Sequence, residues 1–332
     1  MKKGDSQVQN HEDEARQRFL QYIENRAAYL PIAKDCVVTV RNVTFNIYCL
    51  RKDSIELVCS ASESNPSAIE ENATTLCDQL FIESADISKY LTYLSAITSK
   101  RQQASALGMV VMQERSKIVM KEIFEQPLES QNIMAVQNLA EDMVTCILTR
   151  QQLLLDLLLI KQTDFQVYVH SVNVAILSLT LGRLLKLNDE TLLDLGIGAF
   201  MHDIGKRSIP KEILRKQGNL DSAEFSIYKQ HVLDGVRLAE STWKVPAPSI
   251  VAVSQHHELL NGQGYPNGLY GNQIELFGRI LGVANSYDNL TSPRTSKFAM
   301  APYATLTVVV GEKNRFDLKI LSTFMELLGR SR

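Results

Sequence analysis

The chain has no apolar leader, no bilayer-spanning run, no Cys-x-x-Cys pair, no marked charge excess, no internal repeat and no low-complexity tract. Each absence removes a class of function. The start, Met-Lys-Lys-Gly-Asp-Ser-Gln, is polar and lacks the h-region of a signal peptide. The most apolar stretch, Leu153 to Ile160, is too short to span a membrane and is interrupted by Asp156, which suits a buried helix. Lys plus Arg number 35 against 37 Asp plus Glu, a formal net charge of −2. With no global basic field, long nucleic acid is not an expected partner, although a local basic pocket for a small anion is compatible with this balance. The 5 cysteines are Cys36, Cys49, Cys59, Cys77 and Cys146. Four lie in the N-terminal third, and the expectation is reduced, mostly buried thiols in the cytoplasm and no disulfide framework.

What is present is an ordinary globular composition, 45% hydrophobic and 22% charged. A length of 332 residues suggests two domains, because single cores rarely grow past about 250–300 residues. After a charged start leading into a short helix near residue 30, β-branched segments at Val37–Val40, Val43–Tyr48 and Ile55–Val58 predict a small antiparallel sheet, with Arg51 to Ser54 as a turn. Pro66 to Gln79 reads as a helix, Leu80–Ile82 as a strand and Asp86 to Ile97 as another helix. This gives a mixed α/β regulatory or sensory domain over residues 1–104. A helical connector follows at 105–160, broken at Pro127, with apolar spacing suited to a dimer stalk or to packing on its own sheet domain. From about 161 to 332 the pattern is nearly all helix, and Asn188-Asp189-Glu190 suits a helix start.

The chemistry concentrates in the histidines. The chain has 6, and all but His11 fall between His170 and His257. They occur as a lone His170, the pair His202-Asp203 followed by Ile-Gly-Lys206, a lone His231, and His256-His257-Glu258. His170 alone, with Val174 and Leu177 on its helical face, would read as a core histidine, and an isolated His-Asp pair means little. The ordered set is much harder to meet by accident. Imidazole binds borderline and transition metals, and a carboxylate beside it can bridge two of them. Adjacent helical residues diverge by about 100°. His256 and His257 could therefore serve neighbouring ions, or one could ligate while the other orients. Five histidines and one aspartate suit a two-metal site for phosphoryl transfer.

His202-Asp203-Ile-Gly-Lys206, then His256-His257-Glu258-x-x-Asn-Gly-x-Gly264-Tyr265-Pro266-x-Gly268, then Arg279-Ile-Leu-x-Val-Ala-Asn-x-Tyr-Asp288 resemble the HD-GYP family, a branch of the HD-domain metal-dependent phosphohydrolases. Ile209 to Leu220 and Phe316-Asp317 also match. The resemblance spans roughly Asp164 to Leu328. It implies an α+β chain overall, with an all-α HD-type C-terminal domain, and hydrolysis of cyclic di-GMP to the linear dinucleotide, sometimes onward to GMP. It implies an iron or manganese pair of divalent ions that generates hydroxide, held by His170, His202, Asp203, His231, His256 and His257. Asp203 and Lys206 would be catalytic, Lys206 beside the scissile phosphate. Tyr265, Asp288, Arg294 and Lys297 would border the substrate, with loop packing and plain surface charge as the bland readings of Tyr265 and of the two basic residues. Signalling proteins and a second copy through the connector are the implied protein partners, with no membrane.

The chain departs from the family pattern at two metal positions. Asn285 stands where a ligand aspartate is usual, and Gln166 where three-metal members carry glutamate. Asn offers a carbonyl oxygen but no charge, so a weaker ion is expected there, with Asn285 a marginal ligand. Asn261, Asn289, Thr295 and Ser296 also differ. Two readings compete with turnover of cyclic di-GMP. One is a non-catalytic module that binds cyclic di-GMP or a protein, and the other is hydrolysis of a different nucleotide. The intact Gly264-Tyr265-Pro266 disfavours the latter.

Overall fold

The computed structural model describes residues 29–37, 42–51, 54–68, 77, 79–97, 106–126, 132–159, 167–216, 218–242, 244–292, 300, 302–311 and 314–329. The expected first helix, Val38–Val40, Pro127, Gln166, Arg294, Thr295, Ser296 and Lys297 lie outside them. The chain divides into two compact units, Met1–Arg115 and Ser116–Arg332.

Unit 1 carries a four-stranded sheet of β1 (Tyr29–Ile32), β2 (Ile47–Arg51), β3 (Ser54–Cys59) and β4 (Gln79–Glu83) in the order β1-β4-β2-β3. Every pairing is antiparallel. β1 is a strand that propensity hides, since Tyr-Leu-Pro-Ile contains a proline. Pro31 is tolerated because β1 lies at the sheet edge, where one side of the strand needs no ladder donor. The strand expected from Val43 is shorter than its β-branched run. Val43 makes only an isolated bridge to Ser67, and the ladder starts at Ile47. Ser67 is thus extended and Gln79 opens β4, so both ends of the helix expected at Pro66–Gln79 are not helical; residues 69–76 and 78 of it lie outside the described set.

Helix α1 (Ile87–Ile97) presents Tyr90, Tyr93, Leu94 and Ile97 at the i, i+3, i+4, i+7 spacing of a buried stripe. Phe45 meets Tyr90 and Tyr93 edge-to-face at 5.6 and 5.7 Å, each contact adding roughly 0.5–1.5 kcal/mol beyond burial. The phenols are satisfied inside this core: Tyr93 donates to Cys36 O at 3.0 Å and Tyr90 faces Glu114 at 3.4 Å. Glu114 also accepts from Ala33 N at 3.0 Å. One cysteine expectation is corrected here. Cys49 on β2 is bonded to Cys77, with Cα atoms 5.6 Å apart, because the segment entering β4 passes directly beside its partner strand. Cys36, Cys59 and Cys146 are buried and take no part in this bond.

Unit 2 is helical: α2 (Ala106–Glu125) enters it, followed by α3 (Asn132–Leu159), α4 (Val167–Leu184), α5 (Asp189–Met201), a 3-10 turn (Ile204–Ser208), α6 (Lys211–Leu214), α7 (Ser222–Ser241), α8 (Ala247–Gln255), α9 (Leu276–Thr291), α10 (Pro302–Gly311) and α11 (Leu318–Gly329). Helix α5 is the hub, packed against α3, α4 and α8, and its second half is wholly buried. Asn188 caps it as expected, accepting from Thr191 N at 2.8 Å. Asp221 and Glu224 form a capping box on α7, which stabilises that start by about 1 kcal/mol. Helix α4 has the length and hydropathy of a membrane span, but 78% of it is buried within the fold, so it is a core helix. Arg279 and Asp317, two pieces of the sequence resemblance, pair at 2.9 Å and tie α9 to the start of α11.

Candidate metal centre

Two helix ends and three helix faces converge on one buried cluster. His202 is the C-cap of α5 and His256 the C-cap of α8, positions where the last carbonyls of a helix have no intrahelical donor. Each ring uses such a carbonyl. His202 Nδ1 lies 2.8 Å from Ala199 O and His256 Nδ1 2.8 Å from Val253 O. His231, within α7, repeats the pattern with Tyr228 O at 2.6 Å. A carbonyl can only accept, so Nδ1 carries the proton in all three and Nε2 turns a bare lone pair inward.

The carboxylate of Asp203 faces those lone pairs. Its Oδ2 is 3.5 Å from His170 Nε2 and 3.4 Å from His202 Nε2. Its Oδ1 is 3.5 Å from His231 Nε2 and 3.6 Å from His256 Nε2. These separations are too long for good hydrogen bonds and suit groups that share a cation, with about 2.0–2.2 Å to each donor. Asp203 Oδ1 and the Nε2 atoms of His231, His256 and His257 are buried without a hydrogen-bond partner. Leaving such groups unmatched costs about 1–3 kcal/mol each, a cost that a bound cation removes. The donor atoms fall into two sets, each within 4.8 Å: Asp203, His231, His256 and His257 in one, His170, His202 and Asp203 in the other. The donor chemistry therefore fits two divalent ions bridged by one carboxylate.

Electrostatics keep these groups in ligating form. Burial pushes His231 down to about 3 and His256 down to about 4, and lowers His170 and His257 as well. All four are neutral at pH 7. Burial alone would raise the carboxyl of Asp203, but Lys206, His202 and the facing imidazoles outweigh it and hold it well below the usual carboxylate range. Lys206 forms a salt bridge with Asp203 Oδ2 and sits 5.5 Å from the centre of the Tyr228 ring.

Asn285 lies where the sequence placed it. Its Oδ1 is 2.9 Å from His170 Nε2 and accepts from Asn289 Nδ2 at 2.8 Å. Asp288, expected at the substrate, meets protein with both carboxylate oxygens: Oδ2 with His170 Nδ1 at 2.6 Å and Oδ1 with Asn173 Nδ2 at 2.9 Å. It orients the His170 ring. Tyr265 stacks on His257 with centroids 4.5 Å apart, and burial pushes its phenol far above the usual range. Arg294 and Lys297 are outside the described residues; the structure brings together every other expected site residue.

Several supporting residues carried no functional reading from sequence. Asn173 stands three residues after His170, one helical turn along the same face. Glu258 accepts from Asn267 N at 2.7 Å and Leu269 N at 2.9 Å, pinning the Gly-rich loop beneath Tyr265. Gly205 lets the 3-10 turn touch α7. A Cβ there would lie 1.9 Å from His231 O, so no larger residue brings Asp203 and His231 this close.

Comparison with known proteins agrees with this geometry. A family model described as "HD domain" matches residues 137–320, more than half the chain. The cyclic di-GMP phosphodiesterase PA4108 of Pseudomonas aeruginosa is 32% identical over 192 residues, covering 58% of this chain and 46% of that protein. The 3'3'-cGAMP-specific phosphodiesterase 1 of Vibrio cholerae is 33% identical over 206 residues, covering 61% of this chain and 43% of that protein. The chain thus spans less than half the length of either relative. Among solved structures, Bd1817, an HDG"Y"P protein from Bdellovibrio bacteriovorus, superposes with a TM-score of 0.69 at 19% identity, covering 91% of this chain and 99% of that one, a likeness of fold.

Proposed function

Because the chain belongs to the HD-domain family, we propose that it is a divalent-metal-dependent phosphodiesterase acting on a cyclic dinucleotide, with cyclic di-GMP as the first candidate substrate and 3'3'-cGAMP as its competitor. The observation that carries the reading is Asp203, whose two oxygens face two different imidazole pairs. His170, His202 and Asp203 would hold one ion, joined by the carbonyl oxygen of Asn285. Asp203, His231, His256 and His257 would hold the other. When bound, such a pair of iron or manganese ions supplies a hydroxide near neutral pH and offsets phosphoryl charge.

The protein's own groups complete the site. The backbone carbonyls at Ala199, Tyr228 and Val253, with Asp288, hold four imidazoles in one tautomer, so no rearrangement is needed on loading. Lys206 places its ammonium group beside Asp203. Its Nζ donates to a non-bridging oxygen of the scissile phosphate, where negative charge grows in the transition state. Tyr265, held over His257 by the loop that Glu258 anchors, closes one side against water. Unit 1 is the regulatory part, and the protein works in the cytoplasm, with a homodimer through the helical connector and signalling proteins as its partners.

The test is anaerobic loading with Fe(II) or Mn(II), followed by chromatography of the products from each cyclic dinucleotide, with Asp203→Ala as the metal-site control. Linear dinucleotide or GMP from the parent and none from the variant supports the reading. A parent holding two ions that cleaves neither substrate sinks it.

A further inference from the structure

The buried imidazoles continue outward as a ring of aromatic side chains. His231 meets Tyr228 edge-to-face at 5.0 Å, and Tyr228 lies nearly parallel to Phe225, 12° between planes and 6.5 Å between centres. Phe225 meets Tyr265 edge-to-face at 5.8 Å, and Tyr265 stacks on His257, which returns to His231 at 5.2 Å. The five rings thus close a collar on one side of the cluster. Exposure rises around it: His231 is buried, Tyr228, Tyr265 and His257 are intermediate, and Phe225 is 42% exposed. Phe225 is one helical turn beyond Tyr228 on α7, so it stands at the rim and not in the core.

The phenyl ring packs on Tyr228 and Tyr265 and still leaves surface open to solvent. It is placed to offer its surface to a flat ligand. Each of the two near-parallel rings also has an ammonium group. Lys206 sits 5.5 Å from the Tyr228 centre, and Lys229 sits 5.2 Å from the Phe225 centre. The combination selects a ligand with both an aromatic plane and anionic groups. Nucleotides have both, and a base stacked on a protein ring is a sequence-tolerant source of affinity.

Resting on the cyclic-dinucleotide reading above, we infer that Phe225 is the base-stacking platform of this site, with Lys229 as its accompanying cation. The purine lies on the Phe225 ring while its phosphate reaches the Asp203 cluster, and Lys229 meets a phosphate oxygen outside the metal pair. Phe225 sets which ligands bind and takes no part in the bond-breaking step.

The variants are Phe225→Ala, which removes the plane, and Phe225→Trp, which enlarges it; an exposed position tolerates both. The probes are GMP and ribose 5-phosphate, titrated into the manganese-loaded protein, alongside KM and kcat for cyclic di-GMP. For Phe225→Ala, GMP affinity should fall by about tenfold and KM should rise by a similar factor, while ribose 5-phosphate binding and kcat stay within about twofold. Phe225→Trp should restore GMP binding. Equal losses for GMP and ribose 5-phosphate would mean that the phenylalanine supports the site's shape, and the platform would be withdrawn. No change for either would also overturn it. Should the parent cleave no cyclic dinucleotide yet favour GMP over ribose 5-phosphate through Phe225, the phosphodiesterase reading fails and the platform stands. Should the parent cleave the cyclic dinucleotide without preferring GMP, the platform fails alone.

Discussion

Replacing Asn285 with aspartate should destabilise the empty protein and tighten its hold on metal. Asn285 is 2% exposed, its Oδ1 touches His170 Nε2, and Asn289 donates to the same oxygen. Without metal, Asn285→Asp places a third carboxylate in a buried cluster that already holds Asp203 and Asp288. The Asn289 amide offsets part of the burial penalty, and the remainder destabilises unit 2 by about 1–3 kcal/mol. A domain of this size loses about 2–4 °C of melting temperature per kcal/mol. With metal, the same charge faces a divalent ion. A unit charge at 4 Å is worth about 4 kcal/mol at an effective dielectric of 20, hence about 8 kcal/mol against a doubly charged ion. Desolvation and repulsion from Asp203 remove most of that, leaving an affinity gain of about 10- to 100-fold for the ion shared by His170 and His202. Thermal melts with chelator and with saturating Mn(II), together with calorimetric Mn(II) titration, read both effects. The variant should melt lower than the parent with chelator, and saturating metal should close most of that gap. Equal melting in both conditions and an unchanged titration would show that Asn285 does not face the ions.

The other predictions concern the lysine, the histidines and the bridge. Lys206→Ala should cut cyclic di-GMP turnover by about 100-fold while both ions stay bound, since one well-placed charged donor contributes about that much; metal loss in step with activity would assign Lys206 to the structure of the cluster instead. The chelated protein should lose stability in acid. His231 and His256 are depressed to about 3 and about 4, below the ordinary 6.5, so the unfolded chain takes up protons that the folded one refuses. Their contribution is therefore whole above pH 6.5 and falls as pH drops from 6.5 toward 4, by up to about 1.4 kcal/mol per pH unit for each; urea melts that do not change from pH 7.5 to 5 would refute this. Thiol titration of the denatured, unreduced protein should find three free cysteines and not five. Reducing the Cys49–Cys77 bond, which closes a 28-residue separation, should lower the stability of unit 1 by about 3–4 kcal/mol, and a reduced protein as stable as the oxidised one would remove the bond's structural role.

The site was legible from sequence to a degree that the sheet was not, and the reason is physical. The candidate metal ligands are short-range signals: His202-Asp203 and His256-His257 are each adjacent residues, and each pair falls at a helix C-terminus whose end the pattern marks. The sheet depends on pairings between segments that no local periodicity reveals. Pro31 hides β1, because proline argues against a strand unless the strand is known to be at an edge. The β-branched residues near Val43 promise a longer strand than forms, because register comes from the partner and Val43 meets only Ser67. Asp288 shows a similar limit. The family resemblance put it beside the substrate, but only the fold shows that Asn173 and His170 meet its two oxygens. Phe225 carried no signal at all, since an aromatic residue on an amphipathic helix reads as core until its exposure is measured.

The same geometry explains how an all-helical scaffold could hold cations with few carboxylates. His202 and His256 stand at helix C-termini, where aligned peptide dipoles leave partial negative charge and favour cations. Every ring whose Nδ1 is hydrogen-bonded to a carbonyl becomes a better donor at Nε2. Negative potential therefore comes from backbone as well as from side chains, and the loss of one aspartate at position 285 is a change of degree. It also leaves the loaded site more positive by one charge. An anionic phosphodiester gains from that excess, whereas the ion nearest Asn285 loses. Substrate binding and metal retention should accordingly move in opposite directions at this position: Asn285→Asp tightens the ion and loosens the dinucleotide. A variant that tightened both would mean that the ion held by His170 and His202, not the net charge, is what the substrate phosphate senses.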